Sequence, residues 1–426
     1  MGDGRRYTLI SSDAHAGASI QGYKPYLPSK HHEAFDAWAS TFHDAWDDLD
    51  ADLAELDENL RVGTSSFLSP VNWESDLRLE HQNSQGIAAE VLFPNTVPPF
   101  YPSGVVTAGG PTSADDYAQR WAGIQAHNRW LKDFCDLAPG RRGGLAQVFL
   151  ANVDDAIAEV RWAKEAGLAG VLIPSDHNSS LLNLYEARYD PFWAACSELG
   201  VPVHRHAVAV TAPETENSGP FTSAVGVHET NLLFQRGIGQ LILGGVFERF
   251  PDLRFVFTEG ASVFISMQLM QLEAELVQGQ TKGTSGYPFF RRFAENSSMT
   301  PTEYFRRHCY VGASLLTQME MGLRAQLGVD RMMWGADYPH HEGSFPYTDI
   351  ALRAIFSELP EDEVRQMTSL NALDCYDCFD ADQLQAIADE IGPTPDEVAR
   401  PLSADEFPDF TMSISIWDKK ATSGVI

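Results

Sequence analysis

Gly144-Leu-Ala-Gln-Val-Phe-Leu150 is a short apolar run, Asp154 to Gly167 is an amphipathic stretch closed by a glycine, and Gly170-Val-Leu-Ile173 is apolar again. A strand, a helix ending in a left-handed glycine cap and a second strand follow from that order. Downstream the unit repeats, with an amphipathic stretch from Asp190 to Gly200 and then Val201-Pro-Val-His-Arg-His206. Five more runs of the same kind are Tyr7 to Ser12, Ala89 to Phe93, Leu253 to Thr258, Cys309 to Ser314 and Met332 to Asp337. Strands alternating with helices predict a parallel sheet covered by helices. Eight strands in one chain favour closure, because a closed sheet has no edge to protect. The expected fold is therefore α/β, a distorted (β/α)8 barrel. Between Asp115 and Ala138, Tyr117, Trp121, Ile124, Asn128, Leu131, Cys135 and Ala138 alternate four and three apart, which lays one stripe along a long helix packed on the barrel. Asn128 within it reads as a hydrogen-bonded buried amide.

The connection from about residue 17 to 86 is too long for a barrel loop and reads as an insertion. In it Trp46, Leu49, Leu53, Leu56 and Leu60 form an apolar stripe among acidic residues, which predicts a helix packed on the barrel or on a second subunit. A cation-binding acidic patch is the sharper alternative. The barrel is expected to occupy residues 1–380. Residues 381–426, polar and interrupted by Pro393, Pro395, Pro401 and Pro408, read as an extension packing on the barrel or on a partner; a homodimer is expected.

The 426 residues carry 30 Lys and Arg against 59 Asp and Glu, a net charge of −29. Phosphate-rich partners are repelled by such a chain, which argues against nucleic acid and anionic membranes. The most apolar run, Leu232 to Phe247, is broken by Gln235, Arg236 and Gln240, so no membrane span is expected. The first residues show no apolar signal core, and the five cysteines, Cys135, Cys196, Cys309, Cys375 and Cys378, are odd in number and scattered in apolar segments. A cytosolic protein with reduced core thiols is expected; Cys375 and Cys378 lack the second pair of a zinc site.

Chemistry in such barrels sits at the C-terminal ends of the strands. There the chain places Ser12-Asp13-Ala14-His15, His204-Arg205-His206, Thr258-Glu259-Gly260 and Ala336-Asp337-Tyr338-Pro339-His340-His341. Asp13 and His15, two apart on one strand, share a face. Buried together, they are best satisfied by a divalent cation that also takes His206 and Asp337 from the other strands. Two imidazoles and two carboxylates suit Zn²⁺, Mn²⁺ or Fe²⁺; one ion per chain is expected, zinc first. His204 shares the face of His206 and is read as lying one layer deeper. Around the mouth, Asn95, Gln147, Asp176, His177 and His340 are weaker candidates for contact with a small-molecule substrate. Arg129 and Arg236 read first as structural ion pairs.

With these residues in place, the chain resembles the amidohydrolase-related metal-dependent hydrolases, a group that includes the aminocarboxymuconate-semialdehyde decarboxylase-like enzymes. The resemblance rests on the opening Asp13-x-His15, on Gly245-Val-Phe-Glu-Arg-Phe-Pro-Asp-Leu-Arg-Phe-Val-Phe-Thr-Glu-Gly260 and on Met333-Trp-Gly-Ala-Asp-Tyr-Pro-His-His-Glu-Gly343. It implies Asp13, His15 and His206 as ligands and Asp337 as a ligand that also handles a proton. Two departures stand out. Many members carry His-Gly after strand six, where this chain has Glu259-Gly260, so Glu259 becomes a candidate base, ligand or supporting group. After strand four, Val171-Leu-Ile-Pro174 offers no lysine for a metal-bridging carbamate, which points to a mononuclear site. The catalytic candidates are Asp337, Glu259 and His340. Because a bound cation activates water and polarises a carbonyl, hydrolysis of a small amide, ester or cyclic or aromatic acid is the first expected activity. Non-oxidative decarboxylation of an aromatic or unsaturated acid is the second, and a non-catalytic barrel the third.

Overall fold

The structure, a computed structural model, describes residues 4–43, 69–101, 111–174, 183–206, 236–260, 262–281, 288–313 and 316–424. Eight parallel strands follow one another around the sheet in chain order. They are β1 (Leu9–Ala16), β2 (Ile87–Pro94), β3 (Arg142–Gln147), β4 (Gly170–Leu172), β5 (Val203–His206), β6 (Phe255–Thr258), β7 (Cys309–Ala313) and β8 (Met332–Trp334). The seam closes past the end of β8: the Asp337 N–H donates to the Asp13 carbonyl at 2.9 Å, and the His15 N–H to the Tyr338 carbonyl at 2.7 Å. Helices surround the strands, so the fold is the expected (β/α)8 barrel.

Each strand buries both faces. Ile10, Val91, Val256 and Met333 point inward with Phe93 and Leu145, above a floor made by Tyr376 and Phe379. Leu9, Leu92, Val203, Phe255, Phe257 and Met332 point outward under the helices. In β1 the parity changes, because the register with β2 shifts between Ser11 and Ala14. That irregularity lets Ile10, Asp13 and His15 all face inward while Leu9, Ala14 and Ala16 face the helices.

The long stripe is the helix Ala114–Asp136, started by Ser113, whose side chain accepts from the Asp116 N–H. Gly167 and Gly200 take positive φ after the helices Val153–Glu165 and Asp190–Leu199, as their caps require. Asn128 ties this shell to β3. Its amide donates to the Gln147 carbonyl and to Glu159 Oε1, both at 2.9 Å, and its oxygen accepts from the Gln147 N–H at 2.9 Å. Asn128→Ala strands a buried N–H and C=O, so urea unfolding should show a loss of about 1–3 kcal/mol. A loss within error of zero would mean that water replaces the amide.

The expected helix from Trp46 to Leu60 lies outside the described residues. The C-terminal residues are helical at Ala381–Ile391 and Ile414–Thr422, with the prolines between. They lie against the same chain: the Tyr7 N–H donates to the Pro393 carbonyl at 2.8 Å, Ser415 Oγ to the Leu316 carbonyl at 2.7 Å, and Arg353 forks onto Glu406 at 2.9 Å. All five cysteines are free thiols. Among the described residues no helix is long and apolar enough to cross a membrane.

Candidate metal centre

Four strand ends meet at the C-terminal mouth. Asp13 and His15 come from the last residues of β1, and His206 is the last residue of β5. Asp337 and Glu259 stand just past β8 and β6, in left-handed turns with φ of 54° and 58°. Such φ values are uncommon for residues with a Cβ and store backbone strain. Here they turn two carboxylates back over the barrel axis, where an extended strand would carry them away.

Asp13 Oδ1 lies 3.4 Å from His15 Nε2 and 3.5 Å from His206 Nε2. Asp337 Oδ1 lies 3.2 Å from His15 Nε2 and 3.1 Å from His340 Nδ1. The His15 and His340 rings stack with centroids 3.9 Å apart. Asp13 and Asp337 are fully buried, yet none of their four carboxylate oxygens accepts a hydrogen bond, and neither does His15 Nε2 make one. Buried groups of this kind are ordinarily satisfied.

The three imidazoles are oriented alike. His15 Nδ1 meets the Pro94 carbonyl at 3.1 Å, His206 Nδ1 meets Glu259 Oε2 at 3.3 Å, and His340 Nε2 meets Asn95 Oδ1 at 3.0 Å. Asn95 is itself oriented, its amide donating to Asn72 Oδ1 at 2.8 Å. With an acceptor on the far nitrogen, each ring keeps that proton and turns its lone pair to the shared space, which is the tautomer of a metal-ligating histidine. Lone pairs of three imidazoles and two carboxylates thus face one another, and a cation fits that arrangement.

The electrostatics agree. Burial pushes the Asp13 carboxyl up, but His206 and His15 outweigh it and hold Asp13 below the usual carboxylate range. Burial likewise opposes charge on His15, and Asp13 and Asp337 overcome it, so its pKa is raised. Asp337 is held low against burial by His340 and His15. Burial, followed by Asp337, Asp13 and Glu342, pushes Glu259 well above the usual range. Without a cation, these shifts describe protons held where positive charge is favoured.

His204 lies deeper, its Nε2 3.1 Å from the Tyr376 hydroxyl and its pKa lowered to about 3 by burial. Arg129 forks onto Glu159, and Arg236 donates to Asn183 Oδ1 at 2.8 Å. The Gln147 backbone is bound to Asn128; Asp176 and His177 lie outside the described residues. Glu342, unremarked in the sequence, gathers with Glu259, Asp337 and His340. Its only signal was its place directly after His340-His341.

Outside the barrel, the insertion's helix Ser75–Ser84 supports the seam. Arg78, fully buried, forks onto Glu90 at 2.6 and 2.9 Å and donates to the His15 carbonyl at 2.8 Å. Its guanidinium lies 4.8 Å from the centre of the Tyr338 ring, whose hydroxyl meets His81 Nδ1 at 2.6 Å. One cation therefore grips the backbone of His15 and the neighbour of Asp337.

A 2-amino-3-carboxymuconate-6-semialdehyde decarboxylase of Dictyostelium discoideum is 27% identical to the chain over 193 residues, 45% of this chain and 49% of that protein. A gamma-resorcylate decarboxylase of Rhodococcus jostii (strain RHA1) is 27% identical over 237 residues, 50% of this chain and 64% of that protein. The chain thus spans about half of the first relative and less than two thirds of the second. In fold it is similar to the 5-carboxyvanillate decarboxylase of Novosphingobium aromaticivorans DSM 12444, solved with manganese and 4-hydroxy-3-methoxy-5-nitrobenzoic acid, with a TM-score of 0.58, 18% identity and coverage of 87% of this chain and 96% of that one. Hydrolysis, the first activity expected from the sequence, is overturned by these relatives, since both are decarboxylases. The reason is chemical: one ligand set serves either reaction, and the ligands were all that the sequence offered. The family model described as Amidohydrolase matches residues 98–378, well over half of the sequence, and the chain belongs to that family.

Proposed function

We propose that this protein is a metal-dependent, non-oxidative decarboxylase of an aromatic or unsaturated carboxylic acid. The observation that carries the reading is the reaction shared by both curated relatives, and the lone pairs converging at the barrel mouth support it. Asp13, His15, His206 and Asp337 would hold one divalent cation, with manganese, the ion in the solved neighbour, ranked beside zinc. When bound, that cation supplies charge to orient the substrate carboxylate and a neighbouring oxygen.

The chain's own residues then handle one proton. Decarboxylation breaks the bond between carbon and carboxylate, releases carbon dioxide and leaves the electron pair on carbon, which takes up a proton. Glu259 stands where many members of the family place histidine, with Oε2 3.3 Å from His206 Nδ1, and is placed to give that proton. His340, against Asp337, and Asp337 itself complete the path by which that proton is replaced. The surrounding apolar groups, Phe93 among them with its ring 4.7 Å from His206, exclude water from the developing carbanion. We further read the protein as cytosolic, on its reduced thiols, and as a homodimer, on the apolar stripe from Trp46 to Leu60.

Metal-loaded protein incubated in D₂O with gamma-resorcylate and other hydroxybenzoic acids tests the reading. Carbon dioxide should be released with one deuterium at the carbon that bore the carboxylate. A product that retains its carboxyl carbon and gains oxygen from labelled water would sink it.

A further inference from the structure

The tautomer of His340 is not fixed by its immediate neighbour. His15 Nδ1 faces a backbone carbonyl, which can only accept. His340 Nε2 instead faces the side-chain amide of Asn95, at 3.0 Å. Such an amide presents oxygen one way round and N–H the other, so by itself it fits either tautomer. Bulk water does not decide between them, because Asn72, Asn95 and His340 are all buried.

The choice is made further out, in the insertion. Pro70 opens the turn Pro70–Asn72, and the Ser69 carbonyl accepts both the Asn72 N–H, at 3.1 Å, and the Asn72 side-chain Nδ2, at 3.0 Å. A carbonyl has no proton to give, so the Asn72 amide turns its NH₂ to Ser69 and its oxygen away. That oxygen lies 2.8 Å from Asn95 Nδ2. The NH₂ of Asn95 is therefore held toward Asn72 and its oxygen toward His340, and the ring must donate from Nε2. In a neutral ring Nδ1 is then bare, 3.1 Å from Asp337 Oδ1. Reversing any one member would set two N–H groups or two lone pairs against each other in a buried space, which folded proteins avoid.

We propose that Asn72 is a positioning residue for His340: it sets the direction of a relay from the Ser69 carbonyl through Asn95 that keeps the His340 proton on Nε2 and turns Nδ1 to the mouth as a lone pair. The turn that carries Asn72 is held by its backbone. The Asn72 carbonyl accepts from the Gly17 N–H at 3.3 Å, and the Val71 carbonyl from Arg78 Nη1 at 3.1 Å. Changes to the Asn72 side chain leave both bonds in place. A functional consequence follows that rests on the decarboxylase reading above. A ring turned to the other tautomer points a proton at Asp337 where the proton path needs a lone pair, so turnover falls while substrate binding holds.

The test is nuclear magnetic resonance of the full chain with ¹⁵N in its histidine rings, with and without Zn²⁺, at a pH high enough that the rings are neutral. Long-range proton–nitrogen correlations read each tautomer, and His340 is assigned by its loss in His340→Gln. The proton should sit on Nε2 in the unsubstituted protein and in Asn72→Asp, whose side-chain oxygen still accepts from Asn95. In Asn72→Leu that acceptor is gone, and the Nδ1–H form should appear. Turnover of Asn72→Leu should be about tenfold slower at unchanged KM, with Asn72→Asp near normal. His340 with its proton on Nδ1 in the unsubstituted protein would overturn the relay with no variant needed. An unaltered tautomer in folded Asn72→Leu would overturn the role of Asn72. The expected tautomers in a protein that releases no carbon dioxide would support the relay and overturn the decarboxylase reading alone.

Discussion

Asp337→Asn is expected to remove most of the metal from the purified protein and to lower turnover by about a thousandfold or more, which is ~4 kcal/mol of barrier. The substitution is chosen for its backbone. Asp337 sits at φ 54°, a region that Asn tolerates as well as Asp does, so the turn past β8 survives while the charge is lost. The seam bond from the Asp337 N–H to Asp13 is a backbone contact and also survives. What disappears is the carboxylate that lies against both His15 and His340. Metal content by plasma mass spectrometry, thermal unfolding and turnover report together. At a metal concentration about a hundred times the Kd, binding stabilises the unsubstituted protein by about 2.7 kcal/mol; Asp337→Asn should show none of that gain while unfolding near the metal-free protein. Full metal content in the variant would remove Asp337 from the ligand set, and unchanged turnover would remove it from the proton path.

Arg78→Met should be the most costly single change away from the site. It leaves the Glu90 carboxylate buried, with Arg142 Nε at 3.7 Å, and breaking a buried pair on one side costs about 3–5 kcal/mol. Replacing both partners, as in Arg78→Met with Glu90→Leu, should recover most of that loss, because the cost lies in the stranded charge. Metal affinity separates support of the fold from support of the site. Arg78 donates to the His15 carbonyl, so the double variant should be near normal in stability yet bind metal about tenfold more weakly, ~1.4 kcal/mol. Arg78→Lys keeps the charge but not the fork, and should fall between. Unchanged affinity in the double variant would show that β1 holds His15 in place without the bracket.

The barrel was legible because its strands are short, apolar and each followed by an amphipathic stretch. All eight runs read from the sequence are strands, in chain order around one sheet. Asp13 and His15 were legible as a pair because residues two apart on a strand share a face. That rule did not foresee the shift in register that lets Ile10 share that face. Asp337 and Glu259 were read as strand ends, but they lie beyond the strands, and a left-handed turn, invisible to periodicity, points them inward. Glu342 and Arg78 escaped notice for a related reason. Their roles depend on where a loop and an insertion fold back, and nothing in their neighbours encodes that distance.

The sequence by itself determined the strand and helix order, the burial of the strands on both faces, and the polar residues placed at the strand ends, because these depend on local periodicity and residue type. Only the tertiary structure decided which of those residues share one space. Closing β8 onto β1 juxtaposes residues more than three hundred positions apart, and acceptors drawn from β2, its following loop and the turn after β6 orient each imidazole. Lone pairs converge through these long-range contacts, whose energies depend on distances that no local pattern records.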